Sequence, residues 1–257
     1  MVSTGFDLGA RGLVGLLTPR ENPAAEPEMS VLLAPDVAML ASRMRSPAAS
    51  LNERLVDYGR DLTRWLDAFG QAPLGVVGFA CTGTSYLLDR PLPDRVRQAG
   101  REVALVTAAG AVEAALSNLV AKTLAVISPY PDDLTLAAVA YWTGRGFSIA
   151  VVERLRPVAG YHPIYGQTNA AALAAVTAAR GAGCDAVLAL GTGAPTLGAI
   201  AVALRTPGPP VMSSNLCMGW RLSAALADDE PLAAWLSPDA AWVRRLEQRF
   251  PAALARL

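Results

Sequence analysis

The chain alternates short apolar runs, each ending in a turn of glycine, proline or hydroxyl residues, with amphipathic or alanine-rich stretches. Apolar runs of four to eight residues bounded by turn signals read as buried parallel strands, and the stretches between them as helices. Gly12 to Thr18 is the first such strand, stopped by Pro19. Thr18 to Pro23 is a polar loop. Glu26, Glu28 and Met29 open the next element, either as helix-start acids or beside an Asn22 that faces a substrate. Ser30 to Ala34 reads as another strand. Leu51 to Phe69 reads as one amphipathic helix with Leu55, Leu62, Trp65 and Leu66 on its apolar side. The run Leu74 to Ala80 then carries Cys81 into the turn Thr82-Gly83-Thr84-Ser85, with a helix expected to begin near Ser85. Arg95 to Gly100 ends a helix, Val103 to Thr107 is strand-like, and Ala108 to Leu119 is an alanine-rich helix.

A second, similar series follows. Thr123 to Ser128 is a strand that stops at Pro129-Tyr130-Pro131-Asp132-Asp133, with a helix from Leu134 to Thr143. Ser148 to Val152 is a further strand and Tyr161 to Tyr165 a loop. Thr168, followed by Asn169, fits the N-cap of a helix through Ala179. Asp185 to Leu190 runs into Gly191-Thr192-Gly193-Ala194-Pro195-Thr196, the counterpart of the Cys81 turn without a cysteine. Pro210 to Asn215 is the last core strand with its polar end. Leu222 to Leu257 closes the chain as a mostly helical segment with a break near Pro238. The repeated order of strand, loop and helix predicts two related α/β halves.

Composition narrows the partner. The 257 residues are 53% hydrophobic and 17% charged, with 22 basic against 22 acidic residues, a balance that offers no electrostatic footprint for nucleic acid or an anionic membrane. A small-molecule partner is expected instead. Apolar runs are interrupted well short of about 18 residues, so no transmembrane helix is expected. Met1 to Ala10 lacks the basic start and apolar core of a signal peptide. Cys81, Cys184 and Cys217 form no close pair, which points to a reducing cytoplasm and away from a disulfide framework or zinc knuckle. The single histidine, His162, further disfavours metal chemistry.

Cys81 is the first candidate for chemistry, because ligands of open α/β sheets bind at the carboxyl ends of strands. A buried cysteine also serves as a small hydrophobe, and that reading stands beside the reactive one. A helix N-terminus near Ser85 would lower the thiol pKa. Cys184 and Cys217 read as structural, although a loop position for Cys217 would face the site. The position six after Cys81 is Leu87, which excludes a Cys-x5-Arg phosphatase loop. The Gly191 turn lacks the third glycine of a dinucleotide fingerprint, Thr196 standing in its place, but its backbone N–H groups could hold a carboxylate or enolate oxygen.

Together these residues have a family look. Pro19-x-x-Asn22 with Glu26-x-Glu28, Ala80-Cys81-Thr82, Ser128-Pro129-Tyr130-x-Asp132, the Gly191 turn with Thr196-Leu197, and Pro210-Val211-x-Ser213-Ser214-Asn215 with Trp220 form an ordered set. That set resembles the maleate cis-trans isomerase and arylmalonate decarboxylase branch of the aspartate/glutamate racemase superfamily, from about Gly12 to Trp220. The resemblance implies an α/β fold of two pseudo-symmetric domains, each with a parallel sheet flanked by helices, and an active site between them. The first domain would take residues 1–120 and 222–257 and the second 121–221, with homo-oligomers common. It also implies a small dicarboxylate substrate and no metal or organic cofactor. Cys81 falls on the isomerases' nucleophilic cysteine. Asn22 and Tyr130 fall where a substrate carboxylate is held, with Tyr130 beside the chemistry. Thr82, Gly83, Gly191, Thr192, Gly193 and Ser214 fall on the anion cradle. The second cysteine of isomerases and racemases is Gly191 here, which argues against two-base racemisation. What the resemblance implies is isomerisation through Cys81, with two alternatives: decarboxylation with Cys81 as proton donor, or carboxylate binding without turnover.

Overall fold

The computed structural model describes residues 7–88, 91–98, 102–160, 162, 164–255 and 257. The expectations placed on Met1 to Phe6, Gly100, Tyr161 and Pro163 lie outside the described residues. Strand β1 (Gly12–Pro19) leads into helix α1 (Ala25–Leu32), strand β2 (Val37–Met44), helices α2 (Leu51–Arg60) and α3 (Leu62–Asp67), and strand β3 (Val76–Phe79). Helices α4 (Thr82–Leu87) and α5 (Leu92–Gln98), strand β4 (Leu105–Thr107) and helix α6 (Ala108–Asn118) complete the first half. The second half runs β5 (Thr123–Ser128), α7 (Asp132–Thr143), β6 (Ser148–Arg154), α8 (Asn169–Arg180), β7 (Ala186–Ala189), α9 (Leu197–Ala203) and β8 (Val211–Ser213). Helices α10 (Ser214–Ala225), α11 (Leu232–Trp235), α12 (Ala241–Arg249) and α13 (Ala252–Ala255) close the chain.

Two four-stranded sheets result, ordered β2-β1-β3-β4 and β6-β5-β7-β8, with every pairing parallel. The order is the same in both, so the repeated pattern of the sequence is a repeated topology. The central strands are apolar along most of their length because helices cover both faces; β3, β5 and β7 are almost entirely buried. In each sheet the order reverses between the first and third strands, the switch point outside which ligands of such sheets bind. The register makes the halves superposable by position. Leu17 pairs with Phe79 and the Ala80 N–H donates to Leu17 O at 2.8 Å; Ile127 pairs with Ala189 and the Leu190 N–H donates to Ile127 O at 2.9 Å. Cys81 and Gly191 are thus equivalent positions.

Several elements differ from the sequence expectation. Ser30 to Ala34 is not a strand: α1 continues through Leu32, burying Met29, Val31 and Leu32, and the Leu33 N–H closes the helix on Met29 O. The strand is β2, whose partly exposed pattern Val-Ala-Met-Leu-Ala-Ser-Arg-Met is that of an edge strand with one neighbour and no continuous apolar run. The predicted helix from Leu51 to Phe69 breaks at Asp61, whose φ of −95° and ψ of 21° leave the helical region. Leu55, Leu62, Trp65 and Leu66 are buried as predicted. The last strand stops at Ser213, whose hydroxyl accepts from the Leu216 N–H at 3.2 Å and starts α10, so Ser214 and Asn215 belong to a helix rather than a strand end. Thr168 caps α8 as expected, accepting from the Ala171 N–H.

Helix α10 leaves β8 of the second sheet and packs on α6, β3 and β4 of the first, and α12 touches both α1 and α9. No helix among the described residues is long and apolar enough to cross a membrane.

Candidate active site

The carboxyl ends of β1 and β3 face those of β5 and β7 across a small cleft of about 90 Å³. That volume suits a compact metabolite and is well below the roughly 300–1,000 Å³ of sites for larger ligands. Eight of the nine residues singled out in the sequence line it: Asn22, Cys81, Thr82 and Gly83 from the first half, and Tyr130, Gly191, Thr192 and Gly193 from the second.

Cys81 sits at the N-cap of α4 and is 5% exposed. Thr84 Oγ1 lies 3.3 Å from its sulfur and 2.8 Å from Leu55 O. Burial pushes the Cys81 thiol up, opposed by hydrogen bonds from the Thr84 hydroxyl and the N–H groups of Thr84 and Gly83. The expected lowering by a helix N-terminus is therefore overturned: α4 starts at Thr82 rather than near Ser85, but desolvation of a thiolate outweighs the donors around it.

Across the cleft the Tyr130 hydroxyl meets Thr82 Oγ1 at 3.0 Å, joining the two halves beside Cys81. Tyr130 is held from behind by Tyr86, edge-on with ring centroids 6.2 Å apart. Burial keeps the Tyr130 phenol neutral well past the ordinary tyrosine range, as a donor rather than a base. The position equivalent to Cys81 has little room for a side chain. Gly191 has φ +85°, and a Cβ built on it would stand 3.3 Å from the Tyr130 hydroxyl and 3.3 Å from Pro129 Cγ. Tyr130 fills the space into which a side chain at 191 would point.

A buried network sets the rest. Asn22 Oδ1 accepts from the N–H groups of Ala24 and Ala25, both at 3.0 Å, which fixes its amide; Nδ2 donates to Thr192 Oγ1 at 3.1 Å and keeps a second hydrogen for the cleft. Thr192 Oγ1 in turn donates to Ala80 O at 2.7 Å, next to Cys81. Beneath them lies Glu28. Its carboxylate accepts from the Thr196 N–H at 2.6 Å, the Leu197 N–H at 2.9 Å and Asn215 Nδ2 at 2.7 Å, while Asn215 also donates to Thr192 O at 3.0 Å. Burial pushes the Glu28 carboxyl up against these donors. Sequence reading saw Glu28 as a helix-start acid. It is a buried tie from α1 to the second half.

Four residues of α2, Leu51, Arg54, Leu55 and Tyr58, form one wall at i, i+3, i+4, i+7 spacing. Arg54 and Tyr58 went unnoticed in the sequence, where that periodicity was the available signal. Opposite them His162 stacks on Tyr165, with centroids 4.1 Å apart and planes at 19°. Burial, then the Arg54 charge, pushes His162 down, so the ring is neutral near pH 7. Tyr165 presses so closely on Gly193 that a Cβ there would lie 2.4 Å from Tyr165 Cε1.

Ser214 is the ninth residue, and the structure does not bring it to the cleft. It is wholly buried in the first turn of α10, because the helix takes both Ser214 and Asn215, the two residues expected to end the strand. Cys217 lies deep in α10 with no exposure, not in a site-facing loop. Cys184 is partly buried, its sulfur 3.9 Å from Ala179 O. Among the described residues no group of three or more His, Cys, Asp or Glu gathers where a metal ion could be held. The cleft thus combines one thiol, neutral hydroxyl and amide donors, and two inward-facing turns, a set fitted to an oxyanion.

No protein-family model and no curated protein matches the chain. Solved structures do. The Pseudomonas putida S16 maleate isomerase, as a Cys→Ala variant with maleate, aligns at a TM-score of 0.74 and 23% identity, over 84% of this chain and 92% of that one. A Cys→Ser variant of the Nocardia farcinica maleate cis-trans isomerase, with a covalently bound succinylcysteine intermediate, aligns at 0.73 and 24%, over 84% and 93%. A liganded double variant of arylmalonate decarboxylase, one Gly→Cys and one Cys→Ser, aligns at 0.70 and 20%, over 85% and 94%. The chain has the two-domain α/β fold that maleate isomerases and arylmalonate decarboxylases share.

Proposed function

We propose that the protein is a cofactor-independent enzyme that isomerises a small unsaturated dicarboxylate through Cys81. The observation that carries this reading is the position of Cys81 at a switch point, beside two hydrogen-bonded pairs that cross between the halves, Thr82 with Tyr130 and Asn22 with Thr192. Sulfur adds to one alkene carbon, and the π electrons move onto the adjacent carboxylate as an enediolate. The thiol proton passes to that group. Neutral donors preorganised around the oxygens stabilise the charge without an opposing ion. Rotation about the new single bond and expulsion of sulfur, with return of the proton, yield the trans diacid. One thiol suffices, since no net proton crosses between faces. A succinylcysteine in a single Cys→Ser variant of a maleate isomerase with this fold is consistent with such chemistry.

A second reading is favoured by one observation. Burial keeps Cys81 protonated, the form that a decarboxylase needs to donate a proton to an enediolate. Proton NMR with maleate and, separately, phenylmalonate in deuterated buffer separates the two, beside Cys81→Ser. Fumarate that depends on Cys81 supports isomerisation; deuterated phenylacetate supports decarboxylation instead; neither product in either sample refutes both.

A further inference from the structure

The base of the cleft offers only neutral donors, yet an arginine with no hydrogen-bond or ion-pair partner among the described residues also lines it. Arg54 is half-buried on α2 and lines the cleft together with Tyr58 of its own helix and His162 and Tyr165 of the other half. Its guanidinium makes no hydrogen bond or ion pair with any described residue. Arg43, Arg60, Arg145, Arg154 and Arg205 each have a carboxylate partner. The charge of Arg54 is felt across the opening, helping to push His162 down and opposing the rise of Tyr58 to about 12 that burial causes. Arg20 and Glu21 also reach the cleft, but both are exposed, so water screens them. A half-desolvated, unpaired guanidinium is a costly group to keep at an opening for a neutral or singly charged ligand, and its planar fork fits a carboxylate bidentately.

We propose that Arg54 is a specificity-determining residue that binds the second carboxylate of the substrate, while the first lies in the neutral cradle beside Cys81. The inference rests on the dicarboxylate reading above and adds to it the residue that separates diacids from monoacids. Binding is read as protection of Cys81 from iodoacetamide, quantified on the Cys81 peptide by mass spectrometry. The two probes are maleate and its monoamide maleamate, alike in size and different by one charge. Wild-type protein is expected to prefer maleate by about tenfold or more, and Arg54→Gln by about twofold or less, through weaker maleate binding alone; Arg54→Lys should restore part of the preference. Since Arg54 has no partner to lose among the described residues, both variants should melt with the wild type. Equal weakening of both ligands, an unchanged preference in Arg54→Gln, or no preference in the wild type overturns the proposal. Fumarate formation is followed in the same samples. A preserved charge preference without fumarate would remove isomerisation while leaving the role of Arg54.

Discussion

Glu28→Ala is the perturbation that most directly tests how the two halves are held together. The substitution deletes the acceptor of the Thr196 and Leu197 N–H groups and of Asn215 Nδ2, all buried, at 2.6, 2.9 and 2.7 Å. Leaving a buried donor unpaired costs about 1–3 kcal/mol, which for three donors gives a gross loss of about 3–9 kcal/mol. Removing the carboxylate also relieves its own desolvation, the force that pushes Glu28 up. The net loss should fall near 3 kcal/mol, about the lower end for dismantling a buried charged cluster. For a chain of this size that is a fall in Tm of roughly 6–12 °C. The sign of the pH dependence follows from the raised pKa. The stabilising contribution is complete below the ordinary value of 4.5 and is lost as pH rises through the higher folded value. Glu28→Gln, which keeps an acceptor for the backbone donors and cannot ionise, should cost less than Glu28→Ala and lack this pH dependence. Urea unfolding from pH 4 to 8 reads both. A loss below about 1 kcal/mol for Glu28→Ala at unchanged m would refute the reasoning, because the three donors would then have found water or other partners.

Two further outcomes follow from the cleft. Alkylation of Cys81 by iodoacetamide should follow a titration above the ordinary thiol value, since only the thiolate reacts and burial disfavours it; a midpoint at or below that value would show that the donors around the sulfur outweigh desolvation. Gly193→Ala places a Cβ 2.4 Å from Tyr165 Cε1. Displacing that ring should cost about 1–3 kcal/mol and speed Cys81 alkylation as the wall opens; unchanged stability and rate would mean that Tyr165 yields freely.

The central strands were legible because helices on both faces make them continuous apolar runs, a pattern that survives in one dimension. β2 was not, because an edge strand with one neighbour carries exposed and charged positions. The boundary between β8 and α10 was misplaced for a local reason: Ser213 caps a helix with the same hydroxyl chemistry that a polar strand end displays, and Ser214 and Cys217 went into the core with that helix. Asn22, Cys81, Tyr130 and the Gly191 turn could be singled out because each ends a recognisable strand. Arg54 and Tyr58 left only a helical periodicity, and Glu28, although part of the motif set, gave no sign of its partners across the halves, since what each does depends on the half it faces. The sequence by itself determined the two repeated α/β series, the thiol at a strand end and the glycine at its counterpart, because apolar period and turn chemistry act within a few residues. Only the tertiary structure decided that Cys81 is a desolvated thiol, that Tyr130 lies 3.3 Å from where a Cβ at 191 would stand, that Arg54 lines the cleft, and that Glu28 ties α1 to the second half. The first depends on burial, and the others on partners more than forty residues away, which no local pattern encodes.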